Sequence, residues 1–178
     1  MFIWSSNKKI PADIHIEIIK RIEENHNNKE EFFTSYHDIG ADHTISKNFH
    51  QSFPLLDDYY KNIIREMMKD LGIFKRSLYR YNLWVQMYNF ETNTHSPHEH
   101  FTGGEIISFN HIINASQEKC FYFLNDDGDK IYPGEQKSGD IFAWPPWRIH
   151  GVDKVQEPNV NRLIVAGNVW LEKYRRFF

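Results

Sequence analysis

Residues 139–152 read GDIFAWPPWRIHGV, and this stretch says more about the fold than any other part of the sequence. An apolar run as long as one strand ends at two consecutive prolines, which cannot continue a sheet ladder and favour a turn. The chain then resumes with a short apolar run that opens on His150. The stretch therefore predicts a strand, a tight turn and a second strand with a histidine at its start.

The rest of the sequence beyond residue 75 has the same β character. Short aromatic and β-branched segments separated by turn residues predict strands at 78–90, 104–114, 119–124, 139–144 and 161–171. The polar run at 125–129 predicts a hairpin connection. Because these segments follow one another too closely for crossover helices, we expect a largely antiparallel sheet.

The first 75 residues have a helical period instead. One apolar stripe is formed by Ile14, Ile18, Ile19 and Ile22. A longer helix is predicted over 52–71, with Ser52 as its N-cap, Pro54 in its first turn and Gly72 at its end. The sequence thus predicts a mainly β fold with N-terminal helices, a sandwich or open barrel backed by helices on one side.

Composition limits the class of protein. A chain of 178 residues, 40% of them hydrophobic, has the size of one domain, which we expect to span 1–178 with a helical flank at 1–75 and a β-barrel core at 76–178. Its single cysteine, Cys120, excludes an internal disulfide. A balance of 21 basic and 24 acidic residues argues against nucleic acid as a partner. We also expect no membrane partner and a cytoplasmic location, since the sequence shows neither a spanning apolar run nor a secretory signal pattern.

Residues 94–100 read THSPHEH and hold three of the ten histidines. On an extended chain, alternate residues point to the same face, so His98 and His100 can project together while Glu99 points away. Imidazole is the commonest metal ligand in proteins, and His150 would add a third from a different strand. Three such ligands leave positions open, as a catalytic non-haem metal requires. A solvated polar loop is the simpler interpretation of the motif alone.

Arg162 stands at the head of the apolar run NRLIVAGN, which covers residues 161–168. A charge at the start of an inward-facing strand is costly unless it is paired, so we expect an anionic partner. The guanidinium group fits a carboxylate through two parallel hydrogen bonds. A surface salt bridge is the alternative interpretation of Arg162.

Together, the pair His98 and His100, the stretch that ends at His150, and Arg162 resemble the Fe(II)/2-oxoglutarate-dependent dioxygenase superfamily, in particular small oxygenases of its prolyl-hydroxylase-like branch. The similarity covers roughly residues 78–171. It implies a double-stranded β-helix, which is a jelly-roll or cupin-like barrel, with flanking N-terminal helices. By the same resemblance, His98 and His150 match iron ligands, and His100 stands where the superfamily usually has Asp or Glu.

The resemblance also implies how a cosubstrate would bind. Arg162 matches the basic residue that holds the far carboxylate of 2-oxoglutarate, and Tyr88 matches a tyrosine beside it. Asn168 lies six residues beyond Arg162 and on the same strand face, so it is a further candidate. The implied activity is a hydroxylase that uses Fe(II), 2-oxoglutarate and O₂ on a peptide side chain or a small molecule.

A second resemblance is to the metal-binding cupins, which often use three His and one Glu. Such a site would consist of His98, His100, Glu105 and His150 and would need no 2-oxoglutarate. A metal-free β-barrel with incidental histidines is the third alternative. In every case most aromatic residues are expected in the core, and the WPPW loop at 144–147 is the best candidate for a substrate platform at the mouth of a site.

Overall fold

The structure is a computed structural model that describes residues 2–27, 49–73, 78–91 and 94–172. In this part of the chain it contains two helices, a 3₁₀ helix at Phe49–Ser52 and nine strands. The helices are α1 (Ala12–Asn27) and α2 (Pro54–Asp70), and the strands are β1 (Trp4–Asn7), β2 (Tyr79–Tyr88), β3 (His95–His98), β4 (Glu105–Asn114), β5 (Phe121–Leu124), β6 (Lys130–Ile131), β7 (Asp140–Trp144), β8 (His150–Val152) and β9 (Arg162–Leu171). The mainly β fold with N-terminal helices is confirmed.

The strands form two antiparallel sheets. The larger sheet has the order β1-β7-β4-β9-β2, and the smaller has the order β3-β8-β5-β6. The proline turn of the opening stretch takes the chain from one sheet to the other, because β7 belongs to the larger sheet and β8 to the smaller. Its backbone is closed by the Arg148 N–H, which donates to the Pro145 carbonyl at 2.9 Å. No ladder joins the two sheets among the described strands, so the jelly-roll barrel that the resemblance implies is not confirmed.

Both helices pack on one face of the larger sheet. The buried face of α2 consists of Leu56, Tyr60, Ile63, Ile64, Met67 and Met68. These side chains share a core with Ile14, Ile18 and Ile22 of α1 and with Leu83, Val85 and Met87 of β2. Because strand residues alternate, the same β2 presents Trp84, Gln86 and Tyr88 to the opposite face, which looks toward the smaller sheet. The helices therefore leave the space between the sheets free for a site.

The ends of α2 differ in part from the sequence prediction. Pro54 occupies the first turn and Gly72 follows the helix at φ +72°, as expected. The predicted cap at Ser52 is wrong, since the N-cap position is Phe53, which makes no side-chain cap hydrogen bond. Ser52 lies one residue too early, in the 3₁₀ helix, and its hydroxyl accepts a hydrogen bond from Arg21 Nη1 at 2.8 Å.

Three short strands were not predicted. β1 lies within the expected helical flank and pairs with β7, with Trp4 opposite Ala143. β3 and β6 form opposite edges of the smaller sheet. These segments read WSSN, HSPH and KI, which are too short and too polar to show an alternating pattern.

The hairpin at 125–129 is confirmed, because it joins β5 and β6 with Leu124 opposite Lys130. Neither described helix is long and apolar enough to cross a bilayer.

Candidate metal centre

Three histidines converge at the end of the smaller sheet. One potential ligand atom from each of His98, His100 and His150 lies within 4.8 Å of the other two. His98 and His150 are register partners in the β3–β8 ladder, and His100 follows two residues after the end of β3. The Nε2 atoms of His100 and His150 are 3.2 Å apart. Two nitrogens that bind one ion at about 2.0–2.1 Å, at angles of about 90–110°, are about 2.9–3.4 Å apart, so this spacing suits a shared metal ion.

The backbone fixes the orientation of two of these rings. His98 Nδ1 contacts the Ser96 carbonyl at 2.8 Å, and His150 Nδ1 contacts the Arg148 carbonyl at 3.0 Å. A carbonyl can only accept, so each Nδ1 carries the proton and each Nε2 keeps its lone pair. This arrangement is typical of metal-binding histidines, whose second nitrogen usually donates to a backbone or carboxylate oxygen.

Burial favours the neutral form of His98 and His150, and of the adjacent His95. It lowers the pKa of His150 well below its usual range, and the neighbouring imidazoles of His98 and His100 lower it further. Burial also lowers the pKa of His98, against the opposing effect of its hydrogen bond to Ser96. His95 stacks on His98 with ring centroids 4.2 Å apart. The pKa of His95 is lowered to about 3, mainly by burial and to a lesser extent by electrostatic repulsion from His98 and His100. Neutral imidazoles are the form that binds a cation.

The triad opens into a cavity between the two sheets. The larger sheet contributes Trp84, Gln86, Tyr88, Asn110, Trp144, Ile164 and Ala166 to its lining, and the smaller contributes Phe121 and Val152 beside the histidines. Most of this wall is aromatic or aliphatic, with a few polar groups among the rings. Cavities with such a lining are typical of small-molecule sites.

Tyr88 lies in the cavity wall, as the sequence predicts. Its hydroxyl donates to Gln86 Oε1 at 2.9 Å and contacts His95 Nδ1 at 3.2 Å. The amide Nε2 of Gln86 is buried and has no hydrogen-bond partner within the described part of the chain, and the same holds for Trp144 Nε1. Both of these donors belong to residues of the cavity wall.

Arg162 begins β9 directly opposite Tyr88 in the β2–β9 register. It is 1% exposed, and its guanidinium lies over the Tyr88 ring at 5.6 Å from the centroid. Neither Nη1 nor Nη2 has a hydrogen-bond partner among the described residues. Burial lowers the pKa of Arg162 from its usual value, although an arginine stays charged at neutral pH. The surface salt bridge considered from the sequence is therefore excluded, and a buried cation is left with both terminal nitrogens available.

Asn168 is buried on the same face of β9, but it does not line the cavity. Its Oδ1 accepts a hydrogen bond from the Ser108 hydroxyl at 2.7 Å. Asn168 thus lies beside the site, and its amide oxygen is already bound by a hydrogen bond within the sheet.

Neither nearby carboxylate joins the histidines. Glu99 is exposed, and Glu105 turns back onto its own loop. The Glu105 carboxylate accepts hydrogen bonds from the backbone N–H groups of Thr102 and Gly103, at 3.1 and 3.0 Å, and from the Thr102 hydroxyl. Burial raises the pKa of Glu105, but these hydrogen bonds outweigh it and the pKa is lowered. The four-ligand cupin arrangement with Glu105 therefore does not form here.

Sequence reasoning missed His95, Gln86 and Asn110 as residues of the site. Gln86 could have been found from its spacing, since it lies on the same strand face as Tyr88. His95 carried no such signal, because its place depends on β3, which is too short to predict. Asn110 gave no sequence signal, because it lies within a largely apolar strand. Its side chain is buried in the cavity wall, and Oδ1 has no hydrogen-bond partner.

Comparisons with known proteins identify the fold. The chain is similar to the crystal structure of a Pseudomonas putida prolyl-4-hydroxylase, with a TM-score of 0.64 and 13% identity over 96% of this chain and 92% of the other. It is also similar to the non-heme alpha ketoglutarate dependent carbocyclase SnoK from nogalamycin biosynthesis, with a TM-score of 0.64 and 12% identity over 94% and 79% of the two chains. No protein-family model and no curated protein sequence matches the chain.

The chain therefore has the fold that these two oxygenases share. The resemblance inferred from its motifs is confirmed at the level of the fold. Identities of 12–13% do not extend that conclusion to activity or substrate.

Proposed function

We propose that this protein is a dioxygenase that depends on Fe(II) and 2-oxoglutarate. His98, His100 and His150 would hold the metal, and Arg162 would bind the far carboxylate of 2-oxoglutarate. The buried guanidinium of Arg162 carries the proposal, because neither of its terminal nitrogens has a hydrogen-bond partner in the described protein. A buried charge without a partner is strongly unfavourable, so its burial is best explained by an anionic ligand.

The donor set of the triad fits a divalent transition metal. Imidazole suits Fe(II), and three protein ligands leave the open positions that a catalytic metal needs. The 3.2 Å spacing of His100 Nε2 and His150 Nε2 and the two Nδ1 contacts to backbone carbonyls support this assignment. Three neutral ligands leave the full charge of the ion uncompensated, which favours an anionic cosubstrate over a neutral one.

The polar groups of the cavity fit 2-oxoglutarate in particular. Arg162 lies outside the cavity lining but packs on Tyr88 of the wall, and two donors of the wall, Gln86 Nε2 and Trp144 Nε1, have no hydrogen-bond partner among the described residues. At neutral pH 2-oxoglutarate offers carboxylate and keto oxygens, all of them acceptors, and no hydrogen-bond donor. Buried donors that meet a matching acceptor are stabilised, whereas donors left unpaired cost about 1–3 kcal/mol each. These donors are thus complementary to an acceptor-rich dicarboxylate, whereas the acceptor Asn110 Oδ1 would need a donor from another group.

When bound, Fe(II), 2-oxoglutarate and O₂ supply the oxidising chemistry that hydroxylates a C–H bond and releases succinate and CO₂. The protein supplies position and a water-poor environment. Arg162 fixes the far end of the cosubstrate, and the Tyr88 hydroxyl can reorient from Gln86 toward a bound carboxylate. The rings of Phe121 and Trp144 exclude water around the triad, since both are buried and line the cavity.

We also infer that the two facing sheets are the two halves of a double-stranded β-helix, and that residues 1–178 form one domain. Asn168 would support the cosubstrate site from beside it, through its hydrogen bond to Ser108. The substrate would be a peptide side chain or a small molecule, and the protein would act in the cytoplasm.

Calorimetric titration of 2-oxoglutarate into anaerobic, Fe(II)-loaded protein tests the proposal. We expect one site per chain, and much weaker binding of succinate, which lacks the keto group. Protein that takes up one metal ion per chain but binds no 2-oxoglutarate would favour a cupin-like metal protein instead. Protein that takes up no metal would favour the metal-free alternative.

A further inference from the structure

An exposed pair of aromatic rings lies beside the metal centre. Phe101 and Trp147 are 49% and 59% exposed, and their rings meet edge to face with centroids 6.2 Å apart at 89°. Single exposed apolar residues are normal on protein surfaces, whereas adjoining ones more often mark a binding site. The function proposed above does not use either ring.

Both rings are carried by backbone segments that also carry the triad. Phe101 directly follows His100, and Trp147 lies in the turn that leads into His150. The two segments are joined by a hydrogen bond, in which the His100 N–H donates to the Pro146 carbonyl at 2.9 Å. The aromatic pair therefore has a fixed position relative to the histidines.

Buried Glu105 holds the Phe101 side of this pair in place. Its carboxylate binds the loop directly after Phe101, through the N–H and hydroxyl of Thr102 and the N–H of Gly103. On the other side, Pro145 and Pro146 stiffen the turn that presents Trp147. Because the hydrogen bonds of Glu105 and the two prolines restrain both segments, contact with a substrate would cost little conformational entropy.

The surroundings of the pair indicate what it can bind. Arg148 lies next to Trp147, and its Nη1 is 3.9 Å from Asp126 Oδ1, so its charge already faces a carboxylate. Two rings at right angles form a corner that offers one ring face and one ring edge. A flat, uncharged ring fits such a corner, since aromatic rings prefer offset-stacked or edge-to-face contacts.

We propose that Phe101 and Trp147 form a preformed platform that binds an uncharged aromatic ring of the substrate next to the group that is oxidised. This inference rests on the proposed function for the identity of the reaction, and it names the chemical class of the substrate. Glu105 and Thr102 are positioning residues, because they act on the substrate only through the loop that carries Phe101.

Fluorine NMR of protein labelled with 5-fluorotryptophan tests the platform without any turnover. The chain has five tryptophans, and the Trp147 resonance is identified by its loss in Trp147→Phe. The probes are indole, for an aromatic ring, and N-acetylprolinamide, for a saturated ring. We expect indole to shift the Trp147 resonance saturably, and N-acetylprolinamide to bind at least tenfold more weakly.

Four variants distinguish the platform from non-specific hydrophobic binding. Phe101→Leu should weaken indole binding about twofold to tenfold, the range that an aromatic contact is worth. Tyr132→Leu is the matched control, because Tyr132 belongs to another partly exposed aromatic pair, with Tyr122 at 6.0 Å. Thr102→Val should reproduce the effect of Phe101→Leu and Thr102→Ser should not, since serine keeps the hydroxyl that binds Glu105.

The outcomes separate the two proposals. Absence of a saturable indole shift, tighter binding of N-acetylprolinamide, or equal loss in Tyr132→Leu would each overturn the platform. Metal content and 2-oxoglutarate affinity are measured on the same samples and should be unchanged in Phe101→Leu. Indole binding in a protein that fails to bind 2-oxoglutarate would leave the platform as a binding site and remove the oxygenase.

Discussion

His98 and His150 are direct partners in the β3–β8 ladder, and each contacts through Nδ1 the backbone carbonyl two residues before it. The same local arrangement thus occurs on two antiparallel strands that are distant in sequence. It leaves both Nε2 atoms unprotonated and, with His100, brings three potential ligand atoms within 4.8 Å of one another. Two of the three potential ligands are therefore oriented by the backbone.

Removal of any one of the three histidines should abolish stoichiometric metal binding. We expect His98→Ala and His150→Ala to lose the bound ion, because two remaining imidazoles hold a divalent ion weakly, and His100→Ala to behave in the same way. Metal content after dialysis, measured by mass spectrometry, reports the result, and circular dichroism checks the fold. Glu105→Gln is the control for the cupin alternative, and loss of the metal in that variant would contradict the assignment of His100 as the third ligand.

Arg162 should determine affinity for 2-oxoglutarate without affecting the metal. Loss of one partner of a buried ion pair costs about 3–5 kcal/mol, and the lower end is expected because the cavity opens to water. At 1.4 kcal/mol per tenfold, about 3 kcal/mol corresponds to a loss of roughly a hundredfold in Arg162→Ala. Arg162→Lys should lose less, since lysine keeps the charge but not the planar fork. Equal affinities in the wild type and Arg162→Ala would argue against the carboxylate anchor.

His111 should make the fold sensitive to acid. The ring lies in the core between α2 and the larger sheet, with the Tyr60 hydroxyl 2.9 Å from Nδ1 and the Lys8 carbonyl 2.7 Å from Nε2. Burial lowers its pKa to about 4, against the effects of the Lys8 carbonyl and Asp140. Between about pH 6.5 and pH 4 the unfolded chain binds a proton that the native state does not, so stability falls as the pH falls through this window.

The magnitude follows from the same two pKa values. His111 alone should cost about 2 kcal/mol of stability at pH 5 relative to its fully neutral state, and about 3 kcal/mol below pH 4. Urea denaturation at pH 7 and pH 5 measures this loss. His111→Gln should show a smaller loss between the two pH values, because glutamine cannot bind the proton. Identical pH dependence in the two proteins would assign the acid sensitivity to other groups, such as His95 and His150.

Gly151 should not tolerate a side chain. A Cβ atom there would lie 2.5 Å from Tyr122 Oη and 2.9 Å from the His95 carbonyl, far inside normal contact. We expect Gly151→Ala to destabilise the protein by about 1–3 kcal/mol, as overpacking of a core does. Thermal unfolding measures the cost. Because Tyr122 is one of the two obstacles, Tyr122→Leu and Gly151→Ala should together cost less than the sum of the single changes. Strict additivity would show that the clash is relieved elsewhere.

Most of the regular elements could be predicted from the sequence. Six predicted strands agree with β2, β4, β5, β7, β8 and β9, and the two helices were recognised from their apolar spacing. These elements are long or strongly patterned, so local propensity and burial favour the same structure. β1, β3 and β6 escaped prediction because they are two to four residues long, and they are strands only through their pairing partners.

For the candidate site, too, the sequence predicted some features and the tertiary structure decided the others. The sequence alone identified the candidate site residues, because a His-x-His motif, a histidine after a proline turn and an arginine at the head of an apolar strand each show their residue type and spacing directly. The tertiary structure decided how these residues meet. The ladder between β3 and β8 sets His98 against His150, and the hydrogen bonds of the 102–103 loop turn Glu105 away from them. It also decided that Arg162 is buried without a partner, since burial depends on the packing of both sheets and not on local sequence.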